Sequence, residues 1–430
     1  MASSPSKSVK DVQPPKSPRK RSATSWNGRR GIPQRLVARL KFWFASMLAG
    51  YLAFLAILTI PVVQTNLLYL YRVNLPFPKD LERPEKYGFA PYKTRNLRLN
   101  TSDGESLGAW HVLPHPIYRE AIEETGRSDS HQALFAPLQP LDEGVFETSL
   151  QTRDTVIYFH GNAMNRATPH RVQSCMAFSN KLDVNVIAVD YRGYGDSTGT
   201  PSEDGLLRDA ETVWEYVNAR AMAPGTAEGK TIVVVGHSLG TAVSSRLVGA
   251  LADRGVDPKA VVLIAPFTSL PELLTTYRLA GIPLISPLTW IPSFYDLLVK
   301  FLRDTWMSKD HLLKTKAPIL IIHAKDDHDI PASHSQHLYD LLSRNRSSSG
   351  KPWLPKVTHR EGWGSVALHT TQVHDGKPTR KGAVAYFEAD HGAHNRVGGG
   401  EGVIELMRVF LSNDTPDELE SSIMGSPSKS

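Results

Sequence analysis

Residues 231–243 read TIVVVGHSLGTAV. Strand-forming residues at 231–235 run into Gly236-His237-Ser238-Leu239-Gly240, and small, apolar residues that suit a helix follow at once. A buried strand that turns this sharply into a helix strains the backbone at its apex. Glycines two residues before and two after the apex remove the side chains that would collide there. The apex residue, Ser238, is then thrust out of the sheet with its oxygen exposed. G-x-S-x-G alone is a weak signal; the strand before it and the helix after it give it weight. A serine so placed does chemistry only with a base, an acid and an oxyanion hole.

The chain around this turn alternates strand and helix. Short, continuous apolar runs predict strands at 106–113, 155–159, 184–189, 231–235, 260–264, 319–322 and 383–387, as expected when helices cover both faces of a parallel sheet. A helix follows the third of these, with Thr200-Pro201-Ser202-Glu203 as a capping box and Leu206, Leu207, Ala210, Val213, Trp214 and Val217 as its apolar stripe. The pattern is that of a doubly wound, mostly parallel α/β sheet. Residues 114–153 and 345–381 are polar, contain Gly and Pro, and read as surface insertions. Residues 266–316 are apolar and aromatic yet lie between two strands, the natural place for a helical cap.

On a sheet of this type the order along the chain should be serine, acid, histidine, each in a loop after a strand. The strand at 319–322 is followed by His323-Ala324-Lys325-Asp326-Asp327-His328-Asp329-Ile330-Pro331. Asp327, four residues before the proline, suits a turn that leaves the strand and closes into a helix. Asp326 is the alternative, and Asp329 suits a cap on the next helix. After the strand at 383–387 come Glu388-Ala389-Asp390-His391-Gly392-Ala393-His394. His394 sits deeper in the loop and is preferred to His391 as the base. The oxyanion needs two preorganised N–H donors. The backbone of Leu239, directly after the nucleophile, is one, and Asn162 in the loop FHGNA (159–163) is the other. His160 reads as a packed, hydrogen-bonded core histidine.

Composition bounds the remaining classes. The chain has 430 residues and a net charge of +6, with 41% apolar and 21% charged residues. Eleven Lys or Arg and a single acid fall in residues 1–41, which leaves 38 bases against 42 acids in the rest. The basic balance belongs to the tail and does not argue for a nucleic-acid partner. The one cysteine, Cys175, excludes an intramolecular disulfide. From Phe42 to Tyr71 no residue is charged, and 42–63 would span roughly 33 Å as a helix, enough for a bilayer core. The basic flank places the tail (1–41) in the cytoplasm and the rest on the lumenal or exoplasmic side. A linker (64–91), the catalytic domain (92–412) and a Ser/Pro-rich tail (413–430) follow. Sequons at Asn100, Asn345 and Asn413 are compatible with that topology.

Cofactor signals are weak. His328, His334 and His337 lack metal-ligand spacing, and Gly398-Gly399-Gly400-Glu401-Gly402 lacks the Lys-Ser/Thr of a phosphate loop. No metal and no cofactor is expected, and the chain carries no signal of oligomeric state.

FHGNAMNRATPHR (159–171), VDYRGYGDSTGTPSE (189–203), GHSLGTAV (236–243), IAPFTSL (264–270), IIHAKDDHDIP (321–331) and GAHNR (392–396) together resemble the α/β-hydrolase superfamily. Within it, and with the apolar N-terminal run, the chain is similar to its membrane serine lipases over about residues 90–412. The resemblance implies an α/β-hydrolase fold with a helical cap, preceded by one transmembrane helix. It implies Ser238, Asp327 and His394 as nucleophile, acid and base. It also implies substrates, monoacylglycerols and lysophospholipids such as lysophosphatidylserine, and a lumen-facing site at the endoplasmic reticulum. A serine peptidase on the same triad, or a non-catalytic scaffold on a hydrolase fold, are the rival readings.

Overall fold

The computed structural model describes residues 34–73, 80–124, 139–221, 231–277, 290–347, 356–373 and 377–412. The expected C-terminal tail with its Asn413 sequon, residues 1–33 of the basic tail and residues 278–289 of the expected cap lie outside them. In chain order the strands are β1 (Thr94–Asn100), β2 (Ser106–Val112), β3 (Thr155–Phe159), β4 (Asn185–Val189), β5 (Ile232–His237), β6 (Ala260–Ile264), β7 (Ile319–Ala324), β8 (Lys356–Arg360), β9 (Gly364–Val373) and β10 (Lys377–Ala389). They form one sheet in the order β1-β2-β4-β3-β5-β6-β7-β10-β9-β8. The six strands from β4 to β10 pair in parallel. The pairings at both edges are antiparallel, so the sheet is mixed around a parallel centre.

The helices are α1 (Gln34–Leu58), α2 (Pro61–Tyr69), α3 (His115–Ile122), α4 (Glu143–Thr152), α5 (Pro169–Lys181), α6 (Glu203–Ala221), α7 (Leu239–Asp253), α8 (Leu270–Thr276), α9 (Pro292–Val299), α10 (Ser308–Leu312), α11 (Ser333–Arg346), α12 (Ala393–Arg396) and α13 (Glu401–Leu411). The chain divides into two compact units, Met1–Ala56 and Ile57–Ser430. Helix α1, with 25 residues, is long and apolar enough to cross a membrane. The stretch expected as a linker holds most of α2 and a 3-10 turn at Pro84–Tyr87.

Strands β3 to β7 are buried at every position and mostly apolar, because both faces are covered. Ile157 and Phe159 of β3 join one apolar layer with Val234, Leu247 and Trp214. Val156 and Tyr158 join the opposite layer with Phe178, Val235 and Phe410. Burying each such side chain contributes about 1.5–3 kcal/mol. These layers hold the ends of β5, β7 and β10 still, and the site stands on those ends.

Several expectations are corrected. Residues 345–381 are not simply a polar surface insertion: they hold β8, β9 and the first part of β10, and extend the sheet. Val366 and Leu368 enter one apolar layer and Ala367 the other, but short polar neighbours mask that alternation in the sequence. Residues 114–153 contain α3 and α4, which bury Tyr118, Phe146 and Leu150. Strand β1, with alternating Leu97 and Leu99, is too polar to register as an apolar run. The capping box at Thr200 is replaced by a cap two residues on: Ser202 Oγ accepts from Gly205 N at 3.1 Å. The Glu203 carboxylate instead accepts from the N–H groups of Thr305 and Trp306 at 2.7 and 3.0 Å, since those buried donors need an acceptor more than a solvated helix end does.

Candidate active site

β5 runs directly into α7, and Ser238 at the junction has φ 53° and ψ −121°, a conformation that residues with a side chain rarely adopt. The flanking glycines are required by contact. A Cβ on Gly236 would lie 2.3 Å from Gly240 O, and one on Gly240 would lie 2.0 Å from Phe159 O. Ser238 N donates to Ile264 O at 2.9 Å, tying the apex to the neighbouring strand.

β7 ends at Ala324, and the chain turns so that Asp327 N donates to Ala324 O at 3.2 Å. Asp327 Oδ1 accepts from the N–H groups of Asp329 and Ile330 at 2.8 and 2.9 Å. Its Oδ2 lies 2.8 Å from His394 Nδ1 and 3.1 Å from His323 Nε2. Burial alone would raise the Asp327 pKa, but the bonds from His323, His394 and Ile330 outweigh it and hold the carboxyl well below the usual range. The alternative acid, Asp326, does something different: its carboxylate accepts from Gly392 N and Ala393 N at 3.3 and 2.7 Å. The two aspartates thus divide the histidine loop between them. Asp327 meets the ring and Asp326 fixes the backbone.

His394 lies in α12 after Gly392, whose φ of 142° admits glycine readily, and Ala393 at φ 47°. His391 is exposed at the start of the loop. His237, the residue before Ser238, places its Nε2 2.8 Å from His394 O, and the two rings are 5.1 Å apart. Serine elbow and histidine loop are therefore joined directly.

The loop after β3 lies against the elbow: a Cβ on Gly161 would come within 3.2 Å of Ser238 Cβ. The Arg171 guanidinium donates to Gly161 O at 3.1 Å and to Asn162 O at 2.9 Å. Asn162 N has no acceptor among the described residues. Leu239 N is the first N–H of α7 and stands among the unsatisfied donors of a helix start. His160 is buried, with Nδ1 2.7 Å from Gly161 O and its ring 4.5 Å from that of Tyr191.

His334 bridges the hydroxyls of Thr268 and Thr276, each at 2.9 Å. Asp327, Asp329 and His394 bring ligand atoms within 4.8 Å of one another. Both Asp327 oxygens are already engaged, which leaves that cluster a carboxylate–imidazole pair rather than a metal cradle. Sequence reasoning missed His237, His323, Arg171 and the loop-holding part played by Asp326. His237 stands inside the pentapeptide, yet nothing local says that it reaches a distant loop.

A model of the Alpha/beta hydrolase family matches residues 156–375. The chain is 33% identical over 328 residues to a lysophosphatidylserine lipase ABHD12 of Danio rerio, covering 75% of this chain and 78% of that protein. It is 33% identical over 319 residues to its namesake in Xenopus tropicalis, covering 73% and 74% of the two chains. Among solved structures, an alpha-beta hydrolase from Vibrio vulnificus is 17% identical with a TM-score of 0.45, over 66% of this chain and 82% of the other. With the family model matching about half of its length and relatives this similar over about three-quarters of it, the chain belongs to the alpha/beta hydrolase family and is a hydrolase related to lipases.

Proposed function

We propose that the chain is a membrane-anchored serine lipase that cleaves acyl esters of single-chain lipids, monoacylglycerols or lysophospholipids such as lysophosphatidylserine, through Ser238, His394 and Asp327. The observation that carries the reading is the 2.8 Å contact between Asp327 Oδ2 and His394 Nδ1, beside a strained serine elbow. The substrate class is taken from the relatives named above.

Asp327 accepts from Nδ1–H, which leaves the lone pair of His394 on Nε2. That nitrogen takes the Ser238 proton as Oγ attacks the acyl carbonyl. The N–H groups of Leu239 and Asn162 receive the oxyanion, where one donor is worth about 10²–10³-fold in rate. His394 then protonates the departing glycerol or glycerophospho-alcohol. Water attacks the acyl-enzyme by the same route and frees the fatty acid.

Helix α1 serves as the anchor, with the basic tail cytoplasmic and the hydrolase domain in the lumen of the endoplasmic reticulum. Residues 266–316 act as the cap. Trp290, Ile291, Leu297 and Phe301 there are large, apolar and exposed, which suits access of a single-chain lipid from the bilayer. Purified wild type and Ser238→Ala, offered lysophosphatidylserine, monoacylglycerol, a diacyl phospholipid and a peptide amide, test the reading. It expects fatty-acid release from the first two by the wild type only. Preferential cleavage of the amide, or activity that survives in Ser238→Ala, would sink it.

A further inference from the structure

The oxyanion loop is held by the end of α2 and the turn after it, a part of the chain that precedes every strand of the sheet. Directly after Asn162, Ala163 and Met164 both adopt left-handed backbone, at φ 57° and 58°. Residues with side chains rarely hold that conformation twice in succession, so something outside the loop must impose it. Two carbonyls do. Ala163 N donates to Tyr69 O at 3.0 Å and Met164 N donates to Val73 O at 2.6 Å.

Tyr69 ends α2, and the chain then reverses through a left-handed Leu70 at φ 46°, with Val73 N donating to Leu70 O at 2.9 Å. The turn is itself secured on three sides. Tyr194 Oη donates to the same Tyr69 carbonyl at 2.6 Å. Tyr69 Oη donates to the buried Asp304 carboxylate at 2.9 Å, and the other oxygen of that carboxylate accepts from Glu203 N at 3.0 Å. Further up α2, the Gln64 amide donates to Phe301 O at 2.8 Å and accepts from Arg303 N at 2.9 Å. Helix α2 begins three residues after α1 ends, so the anchor runs almost without interruption into these contacts.

We propose that residues 61–73 form a clip that positions the oxyanion loop, so that the segment leaving the membrane anchor is part of the catalytic apparatus. This rests on the serine-lipase reading above. Tyr69 and Tyr194 are positioning residues: they touch neither substrate nor nucleophile, and act by holding the peptide next to the Asn162 N–H. The same clip ties the oxyanion loop to 301–306 at the end of the cap region. Movement of the cap end against α2 is thereby felt at the oxyanion hole.

The test uses the full-length chain in detergent micelles, with Tyr69→Phe, Tyr194→Phe and Gln64→Ala. The two phenylalanines keep the buried rings, and Gln64 is partly exposed, so the fold has a ready route to survive in at least one variant. The clip expects kcat to fall about tenfold while KM stays within about twofold. The inhibition constant of an acyl trifluoromethyl ketone, whose adduct puts an oxyanion in the hole, should weaken by the same factor. The pH profile should not move, because Asp327 and His394 are untouched. Full kcat in all three variants, or a loss confined to KM, overturns the clip. Fluorophosphonate labelling of the wild type runs alongside. If Ser238 takes no label, the serine reading fails and the clip with it; a labelled wild type with unimpaired variants overturns the clip alone.

Discussion

His237 Nε2 donates to the backbone carbonyl of His394 across 2.8 Å, so the residue before the serine holds the loop that carries the histidine. Its other nitrogen, Nδ1, is buried without a partner among the described residues. Because a carbonyl only accepts, the proton sits on Nε2. His237→Phe removes the bond and keeps a buried ring. A lost hydrogen bond that leaves a buried carbonyl unsatisfied costs about 1–3 kcal/mol, and kcat should fall roughly 5- to 150-fold. Steady-state kinetics at constant pH check this, and an unchanged kcat would mean that the loop keeps its place without His237.

The adjacent aspartates should separate cleanly. Asp327→Asn breaks the orientation of the His394 ring and is expected to lower kcat by about 10⁴-fold. Asp326→Asn keeps one acceptor oxygen, enough for the shorter bond from Ala393 N but not also for the longer one from Gly392 N, and should cost less than about tenfold. The reverse ranking would make Asp326 the acid.

Acid should unfold the domain early. Burial holds His111 at about 3, and it also depresses His160 and His237, the last with help from the neighbouring His394. Below the unfolded value of about 6.5 the unfolded chain takes up these protons first. Stability is therefore full above that pH and lost progressively as pH falls from it towards the folded values. Each such histidine removes about 1.4 kcal/mol per pH unit. Urea unfolding at pH 7.5 and 5.5 should show a steep drop in midpoint, and His111→Asn should flatten it. Equal midpoints would contradict the burial of these rings as neutral groups.

Much of the architecture was legible because the central strands are covered on both faces: 155–159 and 260–264 read as unbroken apolar runs and are β3 and β6. The edges were not. In β1 and β8 one face is solvated, and the polar half of each strand hides its period. At the site, the order serine, acid, histidine follows from loops after strands, which the chain order displays. Whether Asp326 or Asp327 meets the imidazole depends on how a turn rotates, and that is decided by the Ile330 N–H and the His323 ring. The clip at Tyr69 was invisible because its contacts to the oxyanion loop are made by backbone carbonyls, which carry no residue signature.

Topology has its own readout. Asn100 and Asn345 are exposed sequon residues. If the hydrolase domain is lumenal, both should carry glycans, and endoglycosidase treatment should raise gel mobility, with Asn100→Gln and Asn345→Gln each removing one step of the shift. An unglycosylated chain in a microsomal membrane would favour the opposite orientation.

The central claim is an activated serine at the elbow. Labelling of the full-length chain in membranes with a fluorophosphonate, wild type against Ser238→Ala, tests it most directly. The account predicts a labelled wild type and a mutant that is equally abundant and unlabelled. Equal labelling of the two, or no label on a folded wild type, would contradict it.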